Sequence, residues 1–399
     1  MLQEQRGKRL VTLRRLVGLS QTELASATGI SQPQISLMER GDRSVSDSAA
    51  AQIAAATKMP LSFFDQMQPS FSGALSFRKL AGASAISRDS SIARFEELER
   101  VAAELCSRTK YRLASLPQAE DDIDGDDIEI LAAQTRAALK LEPQDPILNL
   151  TRSMERRGII VAAVGSVDEG LLDGHDGASR ASERIERPII AYVSGKPGDR
   201  QRFTEAHELG HIVLHGLRPD VGEKIREREA HRFAGALLIP QEAMQESVSE
   251  ALALNGYLTL KATWGVSIQA IVARAHALGL ISDSRRKSLM VQISYKGWRK
   301  AEPVDVRPER PLLLRQMLVK EFGESPYLKA SWALGASPRF LQEWAPGATT
   351  PSEVTPGNAS QTANSNVVPL FSGAGSLQKE LGGNPITTAL GAEQPAHLP

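Results

Sequence analysis

The chain has 399 residues, of which 41% are hydrophobic and 24% charged, and this composition excludes a collagen, a disulfide scaffold and a wholly disordered chain. The 47 lysines and arginines balance 47 acidic residues, so the chain as a whole exerts no net electrostatic attraction on DNA or on an anionic membrane. At about 150 residues per domain, the length predicts two or three domains. Any nucleic-acid binding must therefore be local to one part of the chain.

The distribution of cysteine and apolar residues predicts the compartment. Cys106 is the single cysteine and has no intramolecular disulfide partner, which is typical of a reducing cytoplasm. The first twenty residues lack the apolar stretch and cleavage site of a signal peptide. No run reaches the roughly 18 uninterrupted apolar residues that a membrane helix requires. We therefore expect a cytoplasmic protein that does not bind a membrane.

Residues 1–68 are predicted to form an all-α N-terminal domain of short helices. Ser20 begins a capping box, which starts a short second helix. Gly29 makes the next turn, and Ser31 is expected to cap a third helix that ends at Gly41. Two short helices joined by a glycine-containing turn are the parts of a helix-turn-helix, although a small bundle with a solvated polar face has the same features.

The third helix offers polar side chains to DNA. Ile35 and Met38 are expected to face the core, which leaves the other side of the helix for base edges in a major groove. Glutamine suits this role because it can form two hydrogen bonds with adenine. The residues predicted to contact a double-stranded DNA operator are Gln21, Gln32, Gln34, Ser36 and Arg40. We expect the protein to bind the operator as a homodimer, because each of two copies can then occupy one of two operator half-sites.

This segment resembles a known family. The string Leu19-Ser20-Gln21-Thr22-Glu23-Leu24-Ala25, with Gly29-Ile30-Ser31 and Glu39-Arg40-Gly41, closely resembles the phage-repressor-like (XRE) helix-turn-helix family. The resemblance implies that the N-terminal domain binds an operator.

Residues 69–129 are predicted to be a helical linker with an acidic loop. Apolar residues at helical spacing predict a helix from about 90 to 115. The acidic stretch 120–129 predicts a solvated hinge or loop. Beyond it, residues 130–285 are predicted to combine helices with a small sheet, on the basis of the helical patterns Leu131–Leu141 and Ile147–Arg156 and the apolar runs Ile159–Val164 and Ile189–Val193.

The strongest chemical signal is the sequence His207-Glu208-Leu209-Gly210-His211, which contains His-Glu-x-x-His. On a helix the two histidines lie one turn apart, with β-carbons about 6 Å apart, so both imidazoles can bind one ion. Glu208 lies beside them, where it can take a proton from water. Gly210 costs about 1 kcal/mol relative to alanine in a helix, which predicts a close contact there, such as a strand or a ligand.

A catalytic zinc ion needs a third protein ligand. The next predicted helix, Glu223–Ile239, has an apolar stripe formed by Ala230, Phe233, Ala234, Leu237 and Leu238. At 100° per residue, Glu227 and Glu223 point towards this stripe and Glu229 points away from it. An inward carboxylate is costly unless it is paired or bound to a metal. We therefore predict Glu227 as the third ligand, with Glu223 as the alternative.

The segment from Arg200 to His215, followed by the segment from Glu227 to Pro240, is similar to the ImmA/IrrE family of zinc metallopeptidases. The similarity extends over residues 130–285. In that family two histidines and a downstream glutamate hold Zn²⁺, and the glutamate after the first histidine is the base. The resemblance therefore implies metal-binding roles for His207, His211 and Glu227, and a catalytic role for Glu208.

Two further histidines have open roles. His231 stands where the family commonly has asparagine or aspartate, so it either changes a contact near the metal or adds a ligand. His215 lies one turn beyond His211 and either touches the metal or substrate or packs against the protein.

The rest of the chain is predicted to be a helical unit, 286–345, and a disordered tail, 346–399. The candidate helices are Leu312–Phe322 and Leu328–Trp344, and Trp298, Trp332 and Trp344 are expected to anchor them.

The predicted fold class is α+β and mostly helical, with an all-α helix-turn-helix domain followed by a zincin-like metallopeptidase domain that has a small sheet and a helical C-terminal part. The predicted function is that of a DNA-binding transcriptional regulator whose zinc-dependent endopeptidase hydrolyses an extended peptide in a repressor or another regulatory protein. One alternative is a transcription factor whose metallopeptidase-like domain senses a ligand or stress without proteolysis. Another is an antitoxin-like interaction protein.

Overall fold

The computed structural model of the chain describes residues 2–68, 76–77, 85–166, 177–182 and 187–347, and these residues all lie within one unit, Met1–Ala359. The helices are α1 (Leu2–Leu16), α2 (Gln21–Thr28), α3 (Gln32–Arg40), α4 (Asp47–Thr57), α5 (Ala85–Thr109), α6 (Gly125–Ala138), α7 (Leu150–Glu155), α8 (Gly198–His215), α9 (Glu223–Leu238), α10 (Gln241–Ser247), α11 (Leu254–Trp264), α12 (Ile268–Ala277), α13 (Asp283–Tyr295), α14 (Leu313–Phe322), α15 (Pro326–Leu334) and α16 (Pro338–Trp344). The strands are β1 (Ser76–Phe77), β2 (Ile160–Ser166), β3 (Gly177–Ser182) and β4 (Arg187–Ser194). None of the helices in these ranges is long and apolar enough to cross a membrane.

The helices α2 and α3 form the expected helix-turn-helix. The capping box is present, because the backbone N–H of Glu23 donates to Ser20 Oγ at 3.2 Å and that of Ser20 donates to Glu23 Oε2 at 2.8 Å. Gly29 and Gly41 end the two helices with φ of 73° and 83°, a left-handed conformation that favours glycine. Ser31 stands at the start of α3 as expected, but its side chain makes no capping hydrogen bond.

The sheet has the strand order β1-β3-β4-β2. Strands β2 and β4 correspond to the two predicted apolar runs and pair in parallel, with Ile160 opposite Ile189. Strand β3 runs antiparallel to both β4 and β1. The sequence pattern predicts neither β1 nor β3, because the residues of β3 are Gly, Ala, Ser and Arg and show no apolar alternation.

Helix α8 packs against the sheet and against α9. A β-carbon at Gly210 would lie 2.9 Å from Cδ1 of Phe233 and 3.3 Å from Cα of Ala230. The predicted close contact at this glycine is therefore confirmed, but the neighbour is a helix and not a strand or a ligand. The absence of a side chain at Gly210 lets α9 approach the face of α8 that carries the histidines.

The sequence predicts a solvated hinge or loop over the acidic stretch 120–129, but only the first part of this stretch lies outside a helix. Asp124 caps α6, which begins at Gly125 and includes the end of the acidic stretch. Glu129 then accepts a hydrogen bond of 2.6 Å from Nη2 of Arg274 on α12. An acidic residue with a buried arginine partner is stable in a packed helix, and composition alone does not show that partner.

The prediction of one helix over Leu328–Trp344 is wrong. Gly335 has φ of 61° and ends α15, and Pro338 begins α16. The anchoring role expected of Trp332 is also wrong, because this residue is 71% exposed, whereas Trp344 is buried. Of the predicted tail, residues 348–399 lie outside the part of the chain that the structure describes.

A buried ion cluster joins the helix-turn-helix to α5. Arg9 on α1 is fully buried and donates from Nη1 and Nη2 to the Glu97 carboxylate at 2.9 and 3.1 Å. Arg100 donates to the same carboxylate at 2.7 Å. Burial alone would raise the pKa of Glu97, but Arg100 and Arg9 outweigh it and lower the pKa to about 2. The cluster fixes α1 to α5 because either arginine without Glu97 would be a buried, unpaired charge.

We expect Glu97→Ala to destabilise the protein by about 3–5 kcal/mol, because two buried guanidinium groups lose their counter-ion. Urea denaturation measures the free energy of unfolding. The control is Asp42→Ala, which removes an exposed partner of Arg40 and should cost less than about 0.5 kcal/mol. Because folding lowers the pKa of Glu97 from 4.5 to about 2, its stabilisation is present above pH 4.5 and is lost as the pH falls towards 2. Equal losses in the two variants would contradict this role.

Candidate functional site

The structure brings His207, His211 and Glu227 together. Both histidines lie on α8, one turn apart, and Glu227 lies on α9. The Nε2 atoms of the histidines are 3.1 Å apart. The Glu227 carboxylate oxygens lie 3.5 Å from Nε2 of His207 and 3.3 Å from Nε2 of His211. These three residues form a cluster whose potential ligand atoms are all within 4.8 Å of one another.

The spacing of these atoms fits a zinc ion. Zinc bonds of about 2.0–2.2 Å to nitrogen and oxygen in a tetrahedron place neighbouring ligand atoms about 3.3–3.5 Å apart. The two Nε2 atoms, 3.1 Å apart, are close to that separation. Each of them also lies near one oxygen of the Glu227 carboxylate, His207 at 3.5 Å from Oε2 and His211 at 3.3 Å from Oε1. Two imidazoles and one carboxylate are also a donor set found in catalytic zinc sites.

One side of the cluster is open to solvent. The His207 and His211 side chains are 1% and 2% exposed, whereas the Glu227 side chain is 33% exposed. The contacts with His207 and His211 lower the pKa of Glu227, so its carboxylate is ionised and available as a ligand. The alternative ligand Glu223 is exposed and is not a member of the cluster. The cluster can therefore be reached from solvent on the Glu227 side.

A hydrogen-bonded chain orients His211. Nδ1 of His211 lies 3.1 Å from Nδ1 of His215, and Nε2 of His215 lies 3.0 Å from Oε2 of Glu229. Arg218 donates to the same Glu229 oxygen at 3.0 Å. His215 is thus a packed partner of His211. Glu229, which the sequence predicts to point away from the apolar stripe of α9, is buried beside α8.

The hydrogen bonds from His211 through His215 to Glu229 also fix which nitrogen of His211 carries the proton. Burial and the neighbouring His211 ring lower the pKa of His215 to about 3, so His215 is neutral at neutral pH. Because Oε2 of Glu229 accepts a hydrogen bond from Arg218, we infer that His215 also donates to it from Nε2 and accepts from His211 at Nδ1. Nε2 of His211 is then the nitrogen without a proton, and it points into the cluster. Nδ1 of His207 has no hydrogen-bond partner among the described residues.

Glu208 is buried beside the cluster but is not part of it. Ser179 on β3 donates from Oγ to Glu208 Oε2 at 2.6 Å. Burial raises the pKa of Glu208, against the opposing effect of His211, His207 and the Ser179 hydrogen bond. A carboxylate whose pKa is moved towards neutrality is better suited to accept and return a proton. Sequence reasoning missed Ser179, because β3 has no pattern that predicts a strand.

His231 contacts the site through its ring. Its centroid lies 4.7 Å from that of His207 and 5.5 Å from that of Phe203. It is not a member of the ligand cluster, so the structure favours a packing contact with His207. A cavity of about 510 Å³ adjoins His231 and is also lined by Ile128, Phe203 and Arg232.

In the helix-turn-helix, two of the residues predicted to contact DNA join the helices to one another. Gln32 donates to Oε1 of Gln21 at 2.8 Å, and Gln21 donates to Oε2 of Glu39 at 2.8 Å. Arg14 on α1 donates to Oε1 of Glu39 at 2.6 Å. These hydrogen bonds orient the start of α3 relative to α1 and α2.

The other predicted contacts are more accessible. Gln34 and Ser36 are partly exposed on α3, and neither side chain hydrogen-bonds to another described residue. Arg40 is exposed and donates to Asp42 at 2.9 Å. Ile35 and Met38 are buried on the opposite side of α3, as predicted. The free polar side of α3 is therefore available to base edges.

Two family matches agree with these sites. Residues 10–64 match the sequence model of the helix-turn-helix, and residues 164–276 match that of the IrrE N-terminal-like domain of the M78 peptidases. The chain is thus a fusion of an XRE-type helix-turn-helix with an ImmA/IrrE-like domain, and its fold is mostly helical α+β. No curated protein matches the chain.

We expect His215→Phe to weaken zinc binding by about 10–100-fold, because it removes the partner that orients His211. Competition with a chromophoric chelator measures the affinity. The matched control is His276→Phe, which removes a histidine that pairs with Asp283 on another helix. An unchanged affinity in a folded His215→Phe protein would show that the hydrogen-bonded chain does not orient the ligand.

We expect Gln34→Ala to reduce discrimination between the preferred operator and a sequence changed at one base pair by about 1–3 kcal/mol, because a base-edge contact is lost. Selection of bound sequences identifies the operator, and mobility-shift titration measures the affinity. Gln245→Ala, an exposed change on α10, serves as the control. If Gln34→Ala weakens binding to all sequences equally, this glutamine does not read a base.

Proposed function

We propose that the protein is a DNA-binding regulator whose ImmA/IrrE-like domain is a zinc-dependent endopeptidase. The observation that carries the proposal is the position of Glu208, which is buried, hydrogen-bonded to Ser179 and adjacent to a cluster of three potential ligands. A structural zinc site is closed by four protein ligands and needs no neighbouring base. Three ligands, an open side and a separate carboxylate are the features of a hydrolytic site.

His207, His211 and Glu227 are the residues that would hold zinc. When bound, the ion supplies Lewis-acid chemistry that polarises a peptide carbonyl and an attacking water. Glu208 accepts the proton of that water and then gives it to the nitrogen of the departing amine. Ser179 holds the Glu208 carboxylate during both transfers, because its hydroxyl donates to Oε2.

The substrate class that suits this site is an extended peptide. Strand β3 lies against Glu208, and an extended chain can add to a sheet edge through backbone hydrogen bonds. The cavity beside His231 offers space for a substrate side chain. The similarity to ImmA/IrrE proteins points to a repressor or another regulatory protein as the target, and the helix-turn-helix would place the enzyme at an operator, as a homodimer where the operator has two half-sites.

Ligand sensing without proteolysis is the second candidate, and the contacts of α5 favour it. This helix pairs with α1 through Glu97 and with β3 through Glu99, which lies 2.8 Å from Nη1 of Arg180. A change at the ligand cluster can therefore reach the DNA-binding helices through the ion pairs of one helix. The two functions differ in whether they need the proton transfer by Glu208.

We expect Glu208→Gln to keep the zinc content and to reduce proteolysis by about 10²–10⁴-fold, because the amide cannot act as a base. The zinc-loaded protein and the variant are incubated with casein and with the proteins encoded by neighbouring genes, and products are identified by mass spectrometry. Glu246→Gln, an exposed change on α10, is the matched control.

Three results decide between the functions. Cleavage by the wild type and the control, but not by Glu208→Gln, supports the endopeptidase. No cleavage by any of the three proteins, with a regulatory output that Glu208→Gln leaves intact, supports the sensor. A partner that co-purifies stoichiometrically with or without zinc supports the antitoxin-like interaction protein.

A further inference from the structure

Strand β3 lies directly against the proposed base. Ser179 donates to Glu208, and a β-carbon at Gly177 would lie 3.0 Å from Oε1 of Glu208. One edge of β3 pairs with β4 along the whole strand. The other edge is where an extended peptide could add to the sheet next to Glu208.

That second edge already carries a strand of the same chain. The segment Ser76–Phe77, β1, pairs antiparallel with β3, so that Ser76 is opposite Ser179 and Phe77 is opposite Ala178. Paired Cα atoms of antiparallel strands are about 4.5–5.5 Å apart. The backbone of Ser76 therefore lies beside the residue that holds the base.

We propose that β1 occupies the strand position of the peptide substrate, so that the chain carries its own competitor and a substrate has to displace it. This inference rests on the proposed function, because it concerns the same site. It assigns to Ser76–Phe77 a regulatory role that is separate from joining the helix-turn-helix to α5.

The strength of the contact suits a displaceable competitor. Pairing over two residues is too short to be stable by itself. Covalent attachment compensates, because a tethered segment has an effective concentration of the order of millimolar. The attachment points are also fixed, since Arg9 and Glu97 hold the preceding helices to α5 and Glu99 holds α5 to Arg180 on β3.

A binding experiment tests the inference without requiring catalysis. The zinc-loaded full chain carries Glu208→Gln, so that a bound peptide is not consumed. The probe is a fluorescein-labelled synthetic peptide with the sequence of residues 70–83, and fluorescence anisotropy measures its Kd. This parent is compared with the same protein carrying Ser76→Pro and Phe77→Pro.

The double substitution is chosen because it removes backbone N–H groups that can pair with β3. In an antiparallel pair, one of two adjacent amides points towards the partner strand, and proline at both positions removes whichever one does so. The matched control is Ser76→Ala with Phe77→Ala, which keeps both amides. Thermal unfolding and zinc content show whether the variants are folded.

We expect the proline pair to lower the Kd of the peptide by at least about tenfold, because the tethered competitor is removed. The alanine pair should bind the peptide with a Kd close to that of the parent. Amide hydrogen exchange at residues 178–179 should become faster in the proline pair in the absence of peptide.

Equal Kd values in the proline and alanine pairs, or no binding to either, would overturn the inference. The result is separable from that of the proposed function. If wild type cleaves its substrates but the proline pair does not bind the peptide more tightly, the competitor role fails and the enzyme stands. If nothing is cleaved but the proline pair binds more tightly, the competitor role stands and the proposed proteolysis fails.

Discussion

The close approach of α8 and α9 at Gly210 is the constraint on which the candidate metal site depends. The two histidines are one turn apart on α8 because of their spacing in the sequence, but the third potential ligand, Glu227, lies on another helix. Only a residue without a β-carbon allows Phe233 and Ala230 to lie so close to α8. That approach brings Glu227 within 3.5 Å of His207 and places Glu229 beside His215. One packing contact thus positions both a potential ligand, Glu227, and the carboxylate that pairs with the histidine next to His211.

Helix α5 has a comparable role between the two functional regions. Its carboxylates pair with Arg9 of the helix-turn-helix and with Arg180 of β3, and Ser179, the neighbour of Arg180, holds Glu208. These are buried ion pairs, which resist separation because a broken pair leaves an unsolvated charge. The DNA-binding helices and the proposed base are therefore connected through a short series of specific contacts.

Prediction from the sequence succeeded where a feature depends on neighbouring residues in the chain. It failed where the feature depends on contact with another helix or strand. The capping box at Ser20 and the burial of Ile35 and Met38 follow from spacing along one helix, and both are present. The direction of Glu229 was predicted from a single apolar stripe. Helix α9, however, is packed against α6, α8 and α12, so a side chain that points away from one neighbour is buried against another. Strand β3 was missed because its register is set by β4 and not by its own small residues.

The sequence by itself determined the helix-turn-helix and the pair of histidines one turn apart, because turn chemistry and helical periodicity act over a few residues. It also limited the third ligand to inward-facing acidic residues of the following helix. Only the tertiary structure brought Glu227, and not Glu223, beside the two histidines, made His215 and Glu229 partners, and brought β3 to Glu208. These outcomes depend on distances between elements far apart in the chain, which are set by the packing of whole helices and by strand pairing, and no periodicity in one segment encodes them.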